Sequence, residues 1–223
     1  MPDDVRTSIA ERWLKVWAHT RGLDVSTVDG WPFVHVGSVT RETELLCVEP
    51  GTETFAELMR HVLGRPRAML TVLATDARPY AALLLPANIR VDRDDETLMV
   101  TSLSRMPIPP LGSGLTARWD IDGNSATYAV EWGGSLAAEG TIGVLGRDAT
   151  LDAVETTPAF QRRGLARHVM AVVTEYALDA GADTGILAAT PQGRRLYEAL
   201  GWRPTLQMLS LMGSKPADAD SGA

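Results

Sequence analysis

The stretch 150-TLDAVETTPAFQRRGLARHVMAVVTEYALDAG-181 sets a strand-like run, a proline-containing turn, a run of arginines, a glycine and a helix-period segment one after another. Leu165, Val169, Val172, Val173, Tyr176 and Ala180 recur at helical spacing, and Gly181 stands where that helix stops. This order describes an anion site. The first N–H groups of a helix have no intrahelical partner, and with the macrodipole they present about half a positive charge to whatever lies there. Gly164 lets the backbone approach a ligand closely, Ala166 keeps the next position small, and Arg162, Arg163 and Arg167 add charge around the same point. A pyrophosphate suits this description.

On the C-terminal side, a short strand at 185–189 leads to Thr190, placed to N-cap a helix with Pro191 in its first turn. Leu196 and Leu200 form that helix's inner stripe, Gly201 ends it, and a last strand runs over about 204–211. On the N-terminal side, strand-like runs at 115–121, 125–132, 136–145 and 150–156 are separated by turn signals at 122–124, 133–134 and 146–148, which predicts an antiparallel meander. Before it, 106-MPIPPLGSG-114 gathers prolines and glycines and reads as a boundary or crossing loop. Further back, strands are expected at 33–39, 45–48, 67–75 and 96–103, with a helix at 54–63 ended by Gly64 and Pro66; 79–85 stays open between helix and strand. Ser8 and Glu11 stand at capping-box spacing ahead of a first helix whose stripe is Ile9, Trp13, Val16 and Trp17.

Across 223 residues, 45% apolar and 22% charged side chains suffice to fill a core, so a folded chain is expected. The 21 Lys+Arg against 28 Asp+Glu leave a net charge of −7, which argues against a nucleic-acid partner held by phosphate neutralisation and makes any basic patch local. One cysteine, Cys47, excludes an internal disulfide framework, and His19, His35, His61 and His168 show no ligand spacing, so no metal is expected. Asp3 and Asp4 sit where a secretory signal carries basic residues, and no apolar run is long enough for a bilayer; the expectation is a cytoplasmic protein without membrane contact. Lys15 and Lys215 follow no phosphate-cradling loop, and no G-x-S-x-G elbow is present, which removes P-loop nucleotidases and the commonest serine hydrolases.

Gln161-Arg162-Arg163-Gly164-Leu165-Ala166 resembles the Q/R-x-x-G-x-G/A signature of the GNAT superfamily of acyl-CoA N-acyltransferases. Val154 to Pro158 resembles the end of that family's fourth strand, and Leu196 to Trp202 its L-Y-x-x-x-G-F/W helix end. The resemblance covers roughly the last hundred residues. It implies an α/β fold, a mixed and mostly antiparallel central sheet flanked by helices, in which the fourth and fifth strands splay around the pantetheine arm. By position, Val154, Glu155 and Thr156 would hold pantetheine and the thioester carbonyl, and Arg162, Arg163, Gly164, Leu165, Ala166 and Arg167 the diphosphate. Acetyl-CoA is the implied donor, and the implied reaction is direct attack of a primary amine, on a small molecule or an exposed amine, through a tetrahedral intermediate. Tyr197 stands where the family keeps the acid that protonates the departing thiolate, and Glu155 or Asp152, on opposite faces by strand alternation, is the candidate base. The acid that histone-type members carry earlier on this strand falls at Thr150.

The family's two helices between its first and second strands have no room here. They must come from residues 1–112, which either cover the acceptor side or form a degenerate second copy of the fold; 113–213 would be the GNAT core and 214–223 a disordered tail. Taken singly, the arginines are a solvated face, Tyr197 a half-buried helix residue, Glu155 a structural carboxylate, and His168 a structural histidine or one packed beside the cofactor. Cys47 reads as a core residue, and Gly112 to Ala117 leads into a strand and not into a nucleotide-binding helix. A non-catalytic CoA-binding sensor or assembly module is the competing class, and the chain is expected to be a monomer or a homodimer, an edge-strand dimer among the possibilities.

Overall fold

A computed structural model describes residues 3–214; of the tail expected from Ser214, the residues after Ser214 lie outside the described ones. In chain order the elements are α1 (Asp3–Thr20), β1 (Val25–Val28), β2 (Trp31–His35), β3 (Thr43–Val48), α2 (Thr52–Leu58), β4 (Ala68–Ala74), α3 (Arg78–Ala81) and β5 (Ile89–Ser102). They continue as β6 (Leu115–Asp122), β7 (Ser125–Trp132), β8 (Ser135–Leu145), β9 (Asp148–Thr156), α4 (Leu165–Asp179), β10 (Thr184–Ala189), α5 (Pro191–Ala199) and β11 (Arg203–Gly213). By contacts the described residues form two compact units, 3–22 with 99–203, and 23–98 with 204–214. The first helix therefore counts with the later elements and the last strand with the earlier ones.

In the first unit the strands run from the last residues of β5, from Met99 on, through β10-β9-β8-β7-β6, with β6 to β9 an antiparallel meander and β10 parallel to β9. Two helices pack on opposite faces of it, and each needs a glycine. A Cβ on Gly140 of β8 would stand 2.5 Å from Val169 of α4, and one on Gly143 would stand 1.9 Å from the Thr20 hydroxyl of α1, so only glycine permits either approach. The stripe of α1 is buried as its spacing predicts: Ile9, Trp13, Val16 and Trp17 face inward, and Trp13 and Trp17, one turn apart, stack with centroids 5.8 Å apart. Its flank is tied down by Arg12 to Asp148 and by Arg21 to Asp152, both on β9. The helix already includes Asp3, so the capping box expected at Ser8 and Glu11 is interior. Gly181, at φ +94°, follows α4; Ala180 is exposed, and Ala177 takes the inward position one turn earlier.

The second unit runs β1-β2-β3-β4-β11 and repeats the pattern: an antiparallel run, a helix, then a strand parallel to the last. All seven residues of β4 are buried. One face of this sheet packs Leu45, Cys47, Leu70, Val72, Leu209 and Leu211 against Phe55 and Leu58 of α2. Burial pushes the Cys47 thiol well above its ordinary range, which makes it an inert core residue. On the other face, the buried Glu44 carboxylate accepts from Arg41 at 2.6 Å and from the Thr71 hydroxyl at 2.6 Å, the pairing that a buried charge requires. The hairpin β1–β2 turns at Asp29-Gly30, both at positive φ, an Asp-Gly turn between two short strands.

Candidate functional site

The site begins with a pairing that stops. Strands β9 and β10 are matched at Thr184 with Asp148 and Gly185 with Ala149, and no further pair joins them. Beyond Ala149 the two strands part and leave a wedge. Gly140 faces α4, so its partner Val154 does too, and Thr156, two residues on, shares that face. The Thr156 hydroxyl is buried and has no hydrogen-bond partner, which leaves one donor and its acceptor positions for a ligand at the strand end.

After β9 the chain makes a 3-10 turn over Pro158–Phe160, closed by Gln161 Nε2 donating to the Thr156 carbonyl at 3.3 Å. Arg162 follows at φ +60° and Gly164 at φ +81°, where Gly164 is the N-cap of α4 and supplies no side chain to the helix's first N–H groups. A Cβ at Gly164 would meet nothing within 4 Å, so the backbone angle, not protein crowding, calls for glycine, and the space in front of the helix is open. Leu165 is buried and anchors the helix start. The Arg163 guanidinium stacks on Phe160, 5.0 Å from its centroid. Among the described residues Arg162, Arg163 and Arg167 enter no ion pair, so their charge is not offset locally. Open amides, a left-handed glycine and uncommitted guanidinium groups fit a diphosphate.

Tyr197 is the buried residue of α5, whose N-cap Thr190 accepts from the Gly193 amide at 3.2 Å as its spacing predicts. Its ring packs on Trp202, and burial pushes the phenol up to about 12. No hydrogen bond links Tyr197 to Glu155 or to the arginines among the described residues. Leu196 and Leu200, the expected inner stripe, pack only partly buried against the same core.

The two candidate bases do not sit as alternation predicts. The pairing shifts at Ile142–Leu151 and Thr141–Ala153, so Asp152 is an extra, bulged residue on β9. The bulge brings Asp152 and Glu155 to the same side, the one α1 packs on. Asp152 is engaged there, accepting from Arg21 at 2.8 to 3.0 Å. Glu155 is exposed and lies directly across from Glu139 of β8. Neither carboxylate is in an ion pair among the described residues, and like charges in opposed positions are unfavourable. Thr150, where the resemblance places the acid of histone-type members, is fully buried with its hydroxyl unpartnered.

His168 is the feature the sequence left open. It is buried: Nδ1 donates to the Pro109 carbonyl at 2.6 Å, and in the neutral ring Nε2 accepts from the Tyr128 hydroxyl at 2.9 Å. The proline-rich run 106–114 is thereby held against α4, a structural role. A hollow of about 700 Å³ lined by Arg12, Ser102, Leu103, Arg147, Asp148, Asp183 and Thr184 lies at the opposite, paired ends of β9 and β10. Its charges are matched in ion pairs, Arg12 with Asp148 and Arg147 with Asp183, and it stands apart from the wedge.

The sequence of residues 97–202 matches the Acetyltransferase (GNAT) family. This match to the GNAT family spans just under half of the chain. In fold, the chain is similar to a GCN5-related N-acetyltransferase from Kribbella flavida (TM-score 0.66, 13% identity, 95% of this chain and 96% of that one). A GCN5-related N-acetyltransferase-like protein from Streptococcus suis 89/1591 matches at TM-score 0.56 and 11% identity, over 91% and 98% of the two chains. A tandem GNAT protein from the clavulanic acid biosynthesis pathway matches at TM-score 0.55 and 13% identity, over 95% and 97%. No protein of curated function is significantly similar in sequence. These likenesses are of fold: a mixed, mostly antiparallel sheet with flanking helices. No described helix is long and apolar enough to cross a membrane, and no group of His, Cys, Asp or Glu among the described residues is placed to hold a metal ion.

Proposed function

We propose that this protein is a GNAT enzyme that moves an acetyl group from acetyl-CoA to a primary amine, on a small molecule or on an exposed amine, in the cytoplasm. The observation that carries the reading is the wedge between β9 and β10, which opens beside a helix start whose amides and arginines are uncommitted. Val154 to Thr156 hold the pantetheine arm, whose amides take up the strand pairing that β9 lacks toward β10. Arg162, Arg163, Gly164, Leu165, Ala166 and Arg167 hold the diphosphate.

Acetyl-CoA supplies the acetyl group as a thioester, whose departing thiol has a pKa of about 8.5. A nitrogen–carbon bond forms at the carbonyl carbon and the carbon–sulfur bond breaks. The amine gives up one proton to water before it attacks, and the second, lost by nitrogen as the carbon–nitrogen bond forms, goes to Glu155, which with Glu139 makes the α1 side of the sheet attractive to the amine's cationic form. A backbone N–H near Thr156 steadies the developing oxyanion. A phenol held near 12 is a poor proton donor to a thiolate, so Tyr197 gives the sulfur a hydrogen bond, and solvent supplies the final proton.

Thermal unfolding with acetyl-CoA tests binding, because a ligand at 100 times its dissociation constant stabilises by about 2.7 kcal/mol. Release of free thiol against a panel of amines tests turnover. No stabilisation by acetyl-CoA overturns the reading. Stabilisation without thiol release on any amine favours the alternative, a CoA-binding sensor or assembly module on the same site.

A further inference from the structure

The first unit's sheet ends on β6, and every residue from Thr116 to Asp122 on that strand is exposed. Native edges are normally blunted by charged side chains, above all lysine, by proline or by shortness. This one is eight residues long, 115-LTARWDID-122, with neither lysine nor proline, and its charges, Arg118, Asp120 and Asp122, are of both signs. We propose that β6 pairs antiparallel with β6 of a second copy of the chain, about a two-fold axis at Trp119.

Backbone geometry limits the register. The hairpin to β7 closes over a two-residue loop, Gly123-Asn124, with Asp122 opposite Ser125. Such a loop is flanked by a hydrogen-bonded pair, and in an antiparallel ladder these alternate with non-bonded pairs. Asp122, Asp120, Arg118 and Thr116 therefore spend their N–H and C=O groups on β7. Ile121, Trp119, Ala117 and Leu115 aim theirs at the open edge. A second copy must meet outward groups with outward groups, which excludes half of the registers.

Charge selects among the rest. Centred on Arg118 the pairing sets Arg118 against itself, and centred on Asp120 it sets two carboxylates together, both unfavourable. Centred on Trp119 it sets Arg118 opposite Asp120 of the second copy, twice, in the non-bonded positions where side chains come closest. Trp119 then meets Trp119, and Ala117 meets Ile121, covering the apolar surface that leaves Ile121 65% and Trp119 38% exposed. Three outward pairs make about six backbone hydrogen bonds. Trp119 is held in place for this by Tyr128 and Tyr176, with centroids 5.1 and 5.0 Å away. At the other unit's end, β1 is four residues long and uncharged, and carries no such pattern.

The test is sedimentation velocity of the full chain up to several hundred micromolar, on the wild type, Arg118→Asp, Asp120→Arg and the double exchange. A dimer is expected, with each single change weakening it at least about tenfold and the double exchange restoring it. A monomer at every concentration overturns the proposal, whether the edge is idle or takes a segment of another protein. So does a dimer indifferent to the single changes, or one that the double exchange leaves broken. Arg118 also pairs with Glu131 and, at 3.9 Å, with Asp120 of its own chain, so Ile121→Lys, at a position with no charged partner, keeps the test decisive if Arg118→Asp loses its fold. Ile121→Lys must abolish the dimer while leaving the thermal transition in place. The outcome is independent of the donor-site reading.

Discussion

Tyr197 shows how burial and chemistry pull on one group. Its position at the L-Y-x-x-x-G end of α5 was legible from sequence spacing; its phenol near 12 was not, because that shift comes from packing against Trp202 and the surrounding core. Tyr197→Phe is expected to lower kcat about tenfold to hundredfold with the dissociation constant of acetyl-CoA within about twofold, read by steady-state kinetics and calorimetry. The same shift predicts a pH dependence of stability. The folded state binds the phenolic proton more tightly than the unfolded chain does, so stability is unaffected below about pH 10. It falls as pH rises from about 10 to about 12, by about 3 kcal/mol at most. Urea titrations at about pH 9 and about pH 11 should show a smaller loss for Tyr197→Phe than for the wild type. An equal loss assigns the slope to other groups.

Elements were read well where the signal is local. The meander β6 to β9 follows from alternation and turn glycines, and the start of α4 from a glycine before a helical period. The bulge at Asp152 left no such mark, because it depends on the register of β9 against β8, and it overturned the face assigned to one carboxylate. Two predictions belong here. Glu139→Gln relieves the opposed pair and is expected to raise stability by about 0.2 to 1 kcal/mol. Glu155→Gln does the same for stability but lowers kcat, with chemical denaturation and thiol release as the two readouts; unchanged turnover in Glu155→Gln removes it as the base. Gly143→Ala forces a methyl group into the Thr20 hydroxyl and is expected to cost about 1 to 3 kcal/mol in a denaturant midpoint, through the docking of α1.

At the scale of the molecule, the two units share an order of elements but differ at the place that matters. In the second unit β3 and β4 stay paired from Thr43–Ala68 through Val48–Leu73, and the Glu49 carboxylate then accepts from the Thr75 amide and hydroxyl at 2.6 Å. No wedge opens there. The following helix, α2, has seven residues with Glu53 in its first turn, an acid where a phosphate would have to sit. The second unit therefore has no counterpart of the donor site proposed above. Calorimetry is expected to give one equivalent of acetyl-CoA per chain, and two equivalents would contradict it.

What the sequence by itself determined is what residues within a few positions of each other decide: the turn at Pro158, the left-handed glycine ahead of α4, the Thr190 cap and the apolar stripes of the helices. These depend on backbone angles and on neighbours one helical turn away. Only the tertiary structure decided that β9 and β10 separate after two pairs, that Thr20 needs Gly143, that Asp152 is committed to Arg21, and that α1 and β11 join units distant from them along the chain. Each of those is a meeting of residues far apart in sequence, where which partner wins depends on shape and register, and no local spacing encodes the outcome.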